Sequence, residues 1–153
     1  MRQPRLAPAI ALAIANICQA QTLTPADRTA LSDVSKFRMA TTPASMPEEV
    51  ARFCADVNGR LANPGENWNA TDVMRPGLAA HRLIWVSRSD RFFVAHYEQG
   101  GFAYSAHVVV GRAGPDGSTY DLAWQANSPW LRDYQDFVRA LKDGVLQAES
   151  PFR

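Results

Sequence analysis

The sequence predicts an α+β domain of two layers: two N-terminal helices, a four-stranded antiparallel meander, and a C-terminal helix packed on one sheet face. Three observations predict it. Apolar residues recur at helical spacing between positions 24 and 58. From His81 to Ala126 the period changes to two. After Ser128 the helical period returns. Short turns between the strands make consecutive strands antiparallel neighbours, and the helices then cover one side of the sheet.

The first helix opens at Thr24-Pro25-Ala26-Asp27. Thr24 can cap, Pro25 fits the first turn, and Asp27 suits the positive helix end. Leu31, Val34 and Phe37 give its apolar stripe, and it ends near Arg38. The second helix opens at Ser45-Met46-Pro47-Glu48, where Ser45 and Glu48 have capping-box spacing. Val50, Phe53, Cys54 and Val57 recur on one face, and Asn58-Gly59 marks the stop. Cys54 therefore lies on the buried stripe, as a small core residue rather than a polar-pocket nucleophile.

Residues 59–80 carry turns at Asn63-Pro64-Gly65 and Arg75-Pro76-Gly77. A structureless loop of this length is unusual in a compact domain. Two readings stand: an ordered loop with Trp68, Asn67, Asn69 and Asp72 as a ligand lip, or an edge strand with Trp68 packed inward. Strands follow at about 81–87, 91–99, 102–112 and 118–126, separated by Ser89-Asp90, Gly100-Gly101 and Gly114-Pro115-Asp116-Gly117. The last helix opens at Ser128-Pro129. Trp130, Tyr134, Phe137, Val138, Leu141 and Val145 form its apolar face, and Gly144 lies near its end. The order of elements resembles, in outline, cystatin-like and nuclear-transport-factor-like folds. A likeness of outline implies architecture and no activity.

The chain's beginning reads as an address rather than as fold. Arg2 and Arg5 precede a mostly apolar stretch from Leu6 to Ile17, and Cys18-Gln19-Ala20 places small residues before a cut at Gln21. That is the layout of a secretory signal peptide over residues 1–20, leaving one α+β domain over 21–153. The apolar run is too short to span a bilayer, and bulky Ile17 disfavours a lipid anchor on Cys18. Removal of Cys18 leaves Cys54 alone, so no internal disulfide is expected. Lys36 and Lys142 are the only lysines beside many arginines, which points to a GC-rich bacterial genome and a periplasmic or secreted destination. The formal charge is +1, from 16 basic and 15 acidic residues. Loss of Arg2 and Arg5 makes the remainder slightly acidic. Nucleic-acid binding, which needs a basic face, is excluded on that ground, and no membrane span is expected.

Turn chemistry sets the expected register. A two-residue primed turn at Gly100-Gly101 puts His96 opposite Ser105, and one at Ser89-Asp90 puts His81 opposite Glu98. A type I turn with a glycine bulge at Pro115–Gly117 pairs Gly114 with Ser118. One face then holds Phe93, Ala95, Tyr97, Val108, Val110, Leu122 and Trp124 as core. The other gathers Leu83, Trp85, Phe92 and Val94 with His81, His96, Glu98, Ser105, His107 and Gln125. A three-residue loop at Gly100-Gly101 would instead send His107 to the opposite side from His96.

Three chemistries compete for that mixed face. Three histidines and a carboxylate suit zinc or another transition metal. Ser105, His96 and Glu98 offer a hydrolytic set. The aromatic–polar mixture around Trp85 and Phe92 suits a binding surface, because so apolar a patch is not left bare without a reason. No phosphate loop, Gly-x-Ser-x-Gly elbow, Cys-x-x-Cys or His-Glu-x-x-His is present. The expectation is a small exported binding protein contacting another protein or a small envelope ligand through His81, Trp85, Phe92, His96, Glu98, Ser105 and His107, with no cofactor. An inhibitor or immunity-type role fits its size and compartment. The alternative is a metal-dependent or hydrolytic enzyme using His81, His96, Glu98 and His107.

Overall fold

The computed structural model describes residues 22–40 and 42–149. The expected signal peptide, residues 1–20, lies outside the described residues. The chain is α+β. Its elements are α1 (Pro25–Leu31), β1 (Arg38–Ala40), α2 (Glu48–Cys54), β2 (His81–Arg88), β3 (Phe92–Gln99), β4 (Ser105–Ala113), β5 (Tyr120–Ser128), α3 (Tyr134–Asp143) and β6 (Gln147–Ala148). Short 3-10 turns occupy Val34–Lys36 and Pro43–Ser45. Among the described residues the strands form one six-stranded antiparallel sheet in chain order.

Three expectations are corrected here. The meander has six strands, because β1 and β6 extend the four central ones at the two edges. Both are too short to carry an alternating pattern of their own. Second, the N-terminal helices are shorter than their apolar periods. Leu31, Val34 and Phe37 keep a period of three, which the end of α1, a 3-10 turn and the residue that closes that turn satisfy in succession. At α2 the Ser45–Glu48 box does not form: Ser45 Oγ donates to the Thr42 carbonyl (2.6 Å), and Pro47 starts the helix without a side-chain cap. Third, the fold has helices on both faces. α1 and α3 cover one, and α2 covers the other. The domain is therefore three layers deep, unlike the one-sided outline that its order of elements resembles.

Other local signals correspond directly. Thr24 and Asp27 form a reciprocal capping box, with Asp27 N–H donating to Thr24 Oγ1 and Thr24 N–H to Asp27 Oδ2 (both 3.1 Å). The same Asp27 carboxylate accepts from Arg112 Nη2 of β4 (2.6 Å), which ties α1 to the sheet. α3 begins six residues beyond Ser128. Asp133 caps it by accepting from Asp136 N–H (2.9 Å), and Gly144, at φ 69°, ends it in the left-handed conformation. Ser128 belongs to β5, and Trp130 is half-exposed outside the helix.

The register decides the rest. Gln99 pairs with Ser105, so the hairpin loop spans 100–104 rather than two residues. Gly100 serves a different purpose from a primed turn. A Cβ there would lie 1.9 Å from the Asn69 carbonyl oxygen, and its N–H donates to the Ala80 carbonyl (2.9 Å). It is a point where two backbones meet. The longer loop pairs His107 with Tyr97, and His96 with Val108. A bulge between Leu83 and Trp85 reverses the lower half of β2, pairing His81 with Gln99 and Arg82 with Glu98. A second irregularity between Val110 and Gly111 shifts β5.

Candidate functional site

The seven residues expected on one face are divided between two. Under α1 and α3, Trp85, Phe92 and His96 are fully buried among Val94, Val108, Phe137 and Tyr134. Trp85 and Phe92 are therefore core, which removes the exposed patch. Buried Glu98 shares this face and pairs with Arg82 Nε (2.6 Å), a partly exposed side chain whose guanidinium lies 5.0 Å from the Trp68 ring centre. On the opposite face, with α2, lie His81, Tyr97 and His107, while Ser105 sits half-buried at the start of β4.

His96 is a structural histidine. Its Nδ1–H donates to the His107 carbonyl (2.9 Å), and its Nε2 accepts from Leu131 N–H (3.2 Å). Trp85 Nε1–H donates to the Leu131 carbonyl (2.9 Å). Two buried side chains thus hold the segment that leads into α3. Burial pushes the imidazole's pKa down to about 4, against the carbonyl contact that favours the charged ring. His81 contacts the Cys54 carbonyl through Nδ1 (2.9 Å), and burial lowers its pKa too. Burial pushes the Cys54 thiol far up, so it is inert core.

The loop over 56–80 is ordered by two buried polar side chains rather than by a strand. Asp56 accepts from the amides of Asn58, Arg60 and Ala80 (2.8, 3.0 and 2.8 Å). Asn69 accepts from Arg75 N–H (2.8 Å) and donates to the carbonyls of Arg75 and Leu78 (3.2 and 3.1 Å). Asn69 is engaged in this scaffold, and Trp68 stacks with Arg82.

Two features have the makings of a site. One is a hydrogen-bonded chain on β4. Ser105 Oγ and His107 Nε2 are 2.7 Å apart, and His107 Nδ1 and Glu149 Oε1 are 2.5 Å apart. A carboxylate only accepts, so Nδ1 carries the proton; in the neutral ring Nε2 then accepts from the serine. Gln125 Nε2 donates to the other carboxylate oxygen, and Tyr97 stacks on the ring with centres 5.1 Å apart. Ser105 and His107 share a face because they are two apart on a strand. Glu149 had no sequence signal: it follows the two-residue β6, which only tertiary pairing with β5 creates.

The other is a cleft of about 850 Å³ between the 3-10 turn after α1 and the β2–β3 turn. Lys36, Arg38, Arg88 and Arg91 line it, with Asp90 and Phe37. Arg38 and Arg88 are direct cross-strand partners. Like charges so placed repel. Among the described residues neither has an ion pair, whereas Arg52, Arg82, Arg112, Arg132 and Arg139 all meet carboxylates. Arg91 lies 5.4 Å from the Phe92 ring centre, and Lys36 pairs with Asp33 (3.0 Å). Nothing in the periodicity marks this cleft, because its residues come from three separate segments.

Among the described residues no group of three or more His, Cys, Asp or Glu side chains is arranged to hold a metal ion. Nor is any helix among them long and apolar enough to cross a membrane. Comparisons with protein-family models, with curated proteins and with solved structures found no match to this chain.

Proposed function

We propose that this chain is a small exported binding protein, periplasmic or secreted, that takes an anionic group of a partner molecule into the cleft of Arg38, Arg88 and Arg91. The observation that carries this reading is the unpaired Arg38–Arg88 cross-strand pair. Two like charges on directly paired residues, with no ion pair to either among the described residues, disfavour the unoccupied state. A bound anion removes that cost, and guanidinium forks match carboxylate and phosphate geometry. The cleft has the volume of a ligand pocket. Near-neutral overall charge is consistent with a local rather than a global electrostatic target, and an inhibitor or immunity-type role fits this kind of patch.

The test is calorimetric titration with inositol hexakisphosphate at low and moderate salt. Arg88→Glu is expected to weaken binding by roughly tenfold or more, the scale of one lost charge-assisted contact. Arg75→Glu makes the same charge change on the exposed loop and should leave binding near the original. Equal losses in both variants would mean general charge attraction and no site.

A further inference from the structure

A second site, independent of the arginine cleft, lies near the other end of the sheet. We propose that Ser105 is an acyl-accepting nucleophile and that this face hydrolyses short-chain acyl esters. Three groups stand in the order that such chemistry needs: a hydroxyl, a base within hydrogen-bond reach, and a carboxylate that orients the base. The distances are 2.7 Å from Ser105 Oγ to His107 Nε2 and 2.5 Å from His107 Nδ1 to Glu149 Oε1. The carboxylate is itself held by Gln125, and the imidazole is fixed from the side by the stacked Tyr97 ring. The chain of contacts therefore has supports beyond its three members, which a chance surface hydrogen bond does not need. Its exposure is graded as the chemistry requires. His107 is buried and Ser105 is half-buried.

The reaction balances without any further reagent than water. Ser105 Oγ bonds to the ester carbonyl carbon while its proton passes to His107 Nε2. The carbon–oxygen bond to the leaving group breaks, and the alkoxide takes that proton and departs as an alcohol. Water then attacks the acyl-serine, giving a proton to Nε2. The acyl–Oγ bond breaks, the proton returns to Ser105, and a carboxylic acid is released. Ser105 and His107 act on the substrate, and Glu149 is a positioning residue.

The experiment treats the purified protein with a fluorophosphonate and reads intact mass and the modified peptide. One adduct on Ser105 is expected. Hydrolysis of 4-nitrophenyl acetate should fall by about 100-fold or more in Ser105→Ala, the scale of a lost nucleophile–base unit. Glu149→Gln should lower kcat by about tenfold or more with KM little changed, and should displace the pH profile of kcat. A folded wild-type protein that takes no label, or turnover unchanged in Ser105→Ala, overturns the proposal. Labelling is read on the wild type, so it holds even where a variant folds poorly. The arginine cleft plays no part in either readout.

Discussion

At the scale of single residues, the buried polar groups explain more of this protein than the exposed ones. His96 is fully buried and neutral, with its pKa lowered to about 4. An unfolded histidine titrates near 6.5. Between those values the unfolded chain takes up the extra proton, so the stabilisation is complete above about pH 6.5 and is lost as pH falls toward 4. The span is worth about 3 kcal/mol. Urea unfolding at pH 7.5 and pH 4.5 should show that fall in the wild type. A smaller difference is expected in His96→Gln, which has no proton to gain. Asp56 works in the same direction in a more acidic range. Burial alone would raise its pKa, but the amides of Ala80, Arg60 and Asn58 outweigh that and lower it. Its contribution is present above the usual carboxylate value and is lost as pH drops through the lower, folded one. Gly100 is the third such residue. Gly100→Ala sets a methyl against the Asn69 carbonyl, so a loss of about 2 kcal/mol or more is expected in the unfolding midpoint. A thermal scan of that variant showing no loss would mean that the 69–70 backbone moves aside freely.

At the scale of elements, ends are set by caps and pins more than by hydrophobic period. The apolar stripe from Trp130 to Val145 is longer than α3, which keeps only Tyr134–Asp143. Trp85 and His96 hold the backbone at Leu131 in a non-helical path, and Asp133 then caps the helix. Asp133→Ala should cost about 1 kcal/mol by removing the acceptor for Asp136 N–H. Equilibrium denaturation checks it. At the start of α1 the sequence signal was complete, because a capping box is local: four consecutive residues contain both partners. At α2 it was not. Ser45 had another acceptor within reach, the Thr42 carbonyl, and took it. One bulge and one hairpin loop decide which histidines share a face. The irregularity at Ile84 moves His81 across the sheet, and the five-residue loop after Gln99 moves His107 there as well.

At the scale of the whole molecule, one sheet divides two apolar clusters. Phe137, Tyr134 and Trp85 belong to one, and Val50, Cys54 and Phe93 to the other. Each of the four central strands, β2 to β5, presents side chains to both clusters, so neither layer is separable from the sheet. Phe137→Ala should therefore lower the midpoint of a single transition by about 3–5 kcal/mol in stability. Far-ultraviolet circular dichroism and tryptophan fluorescence should report the same transition. Two separated transitions would show that the α2 layer unfolds on its own.

The sequence by itself determined the fold class, the four central strands, the capping of α1 and the burial of Cys54, since these follow from short-range period and from groups a few residues apart. It also placed Ser105 and His107 among the candidates, two apart and so on one face of a strand. Only the tertiary structure decided which histidines share a face. Strand side chains alternate with a period of two, so one extra residue in a loop or bulge reverses a face. Such a residue is held by distant contacts, as Gly100 is by the Ala80 carbonyl. The same holds for Glu149 beside His107 and for Arg38 opposite Arg88. Each pair joins segments whose approach no local pattern announces.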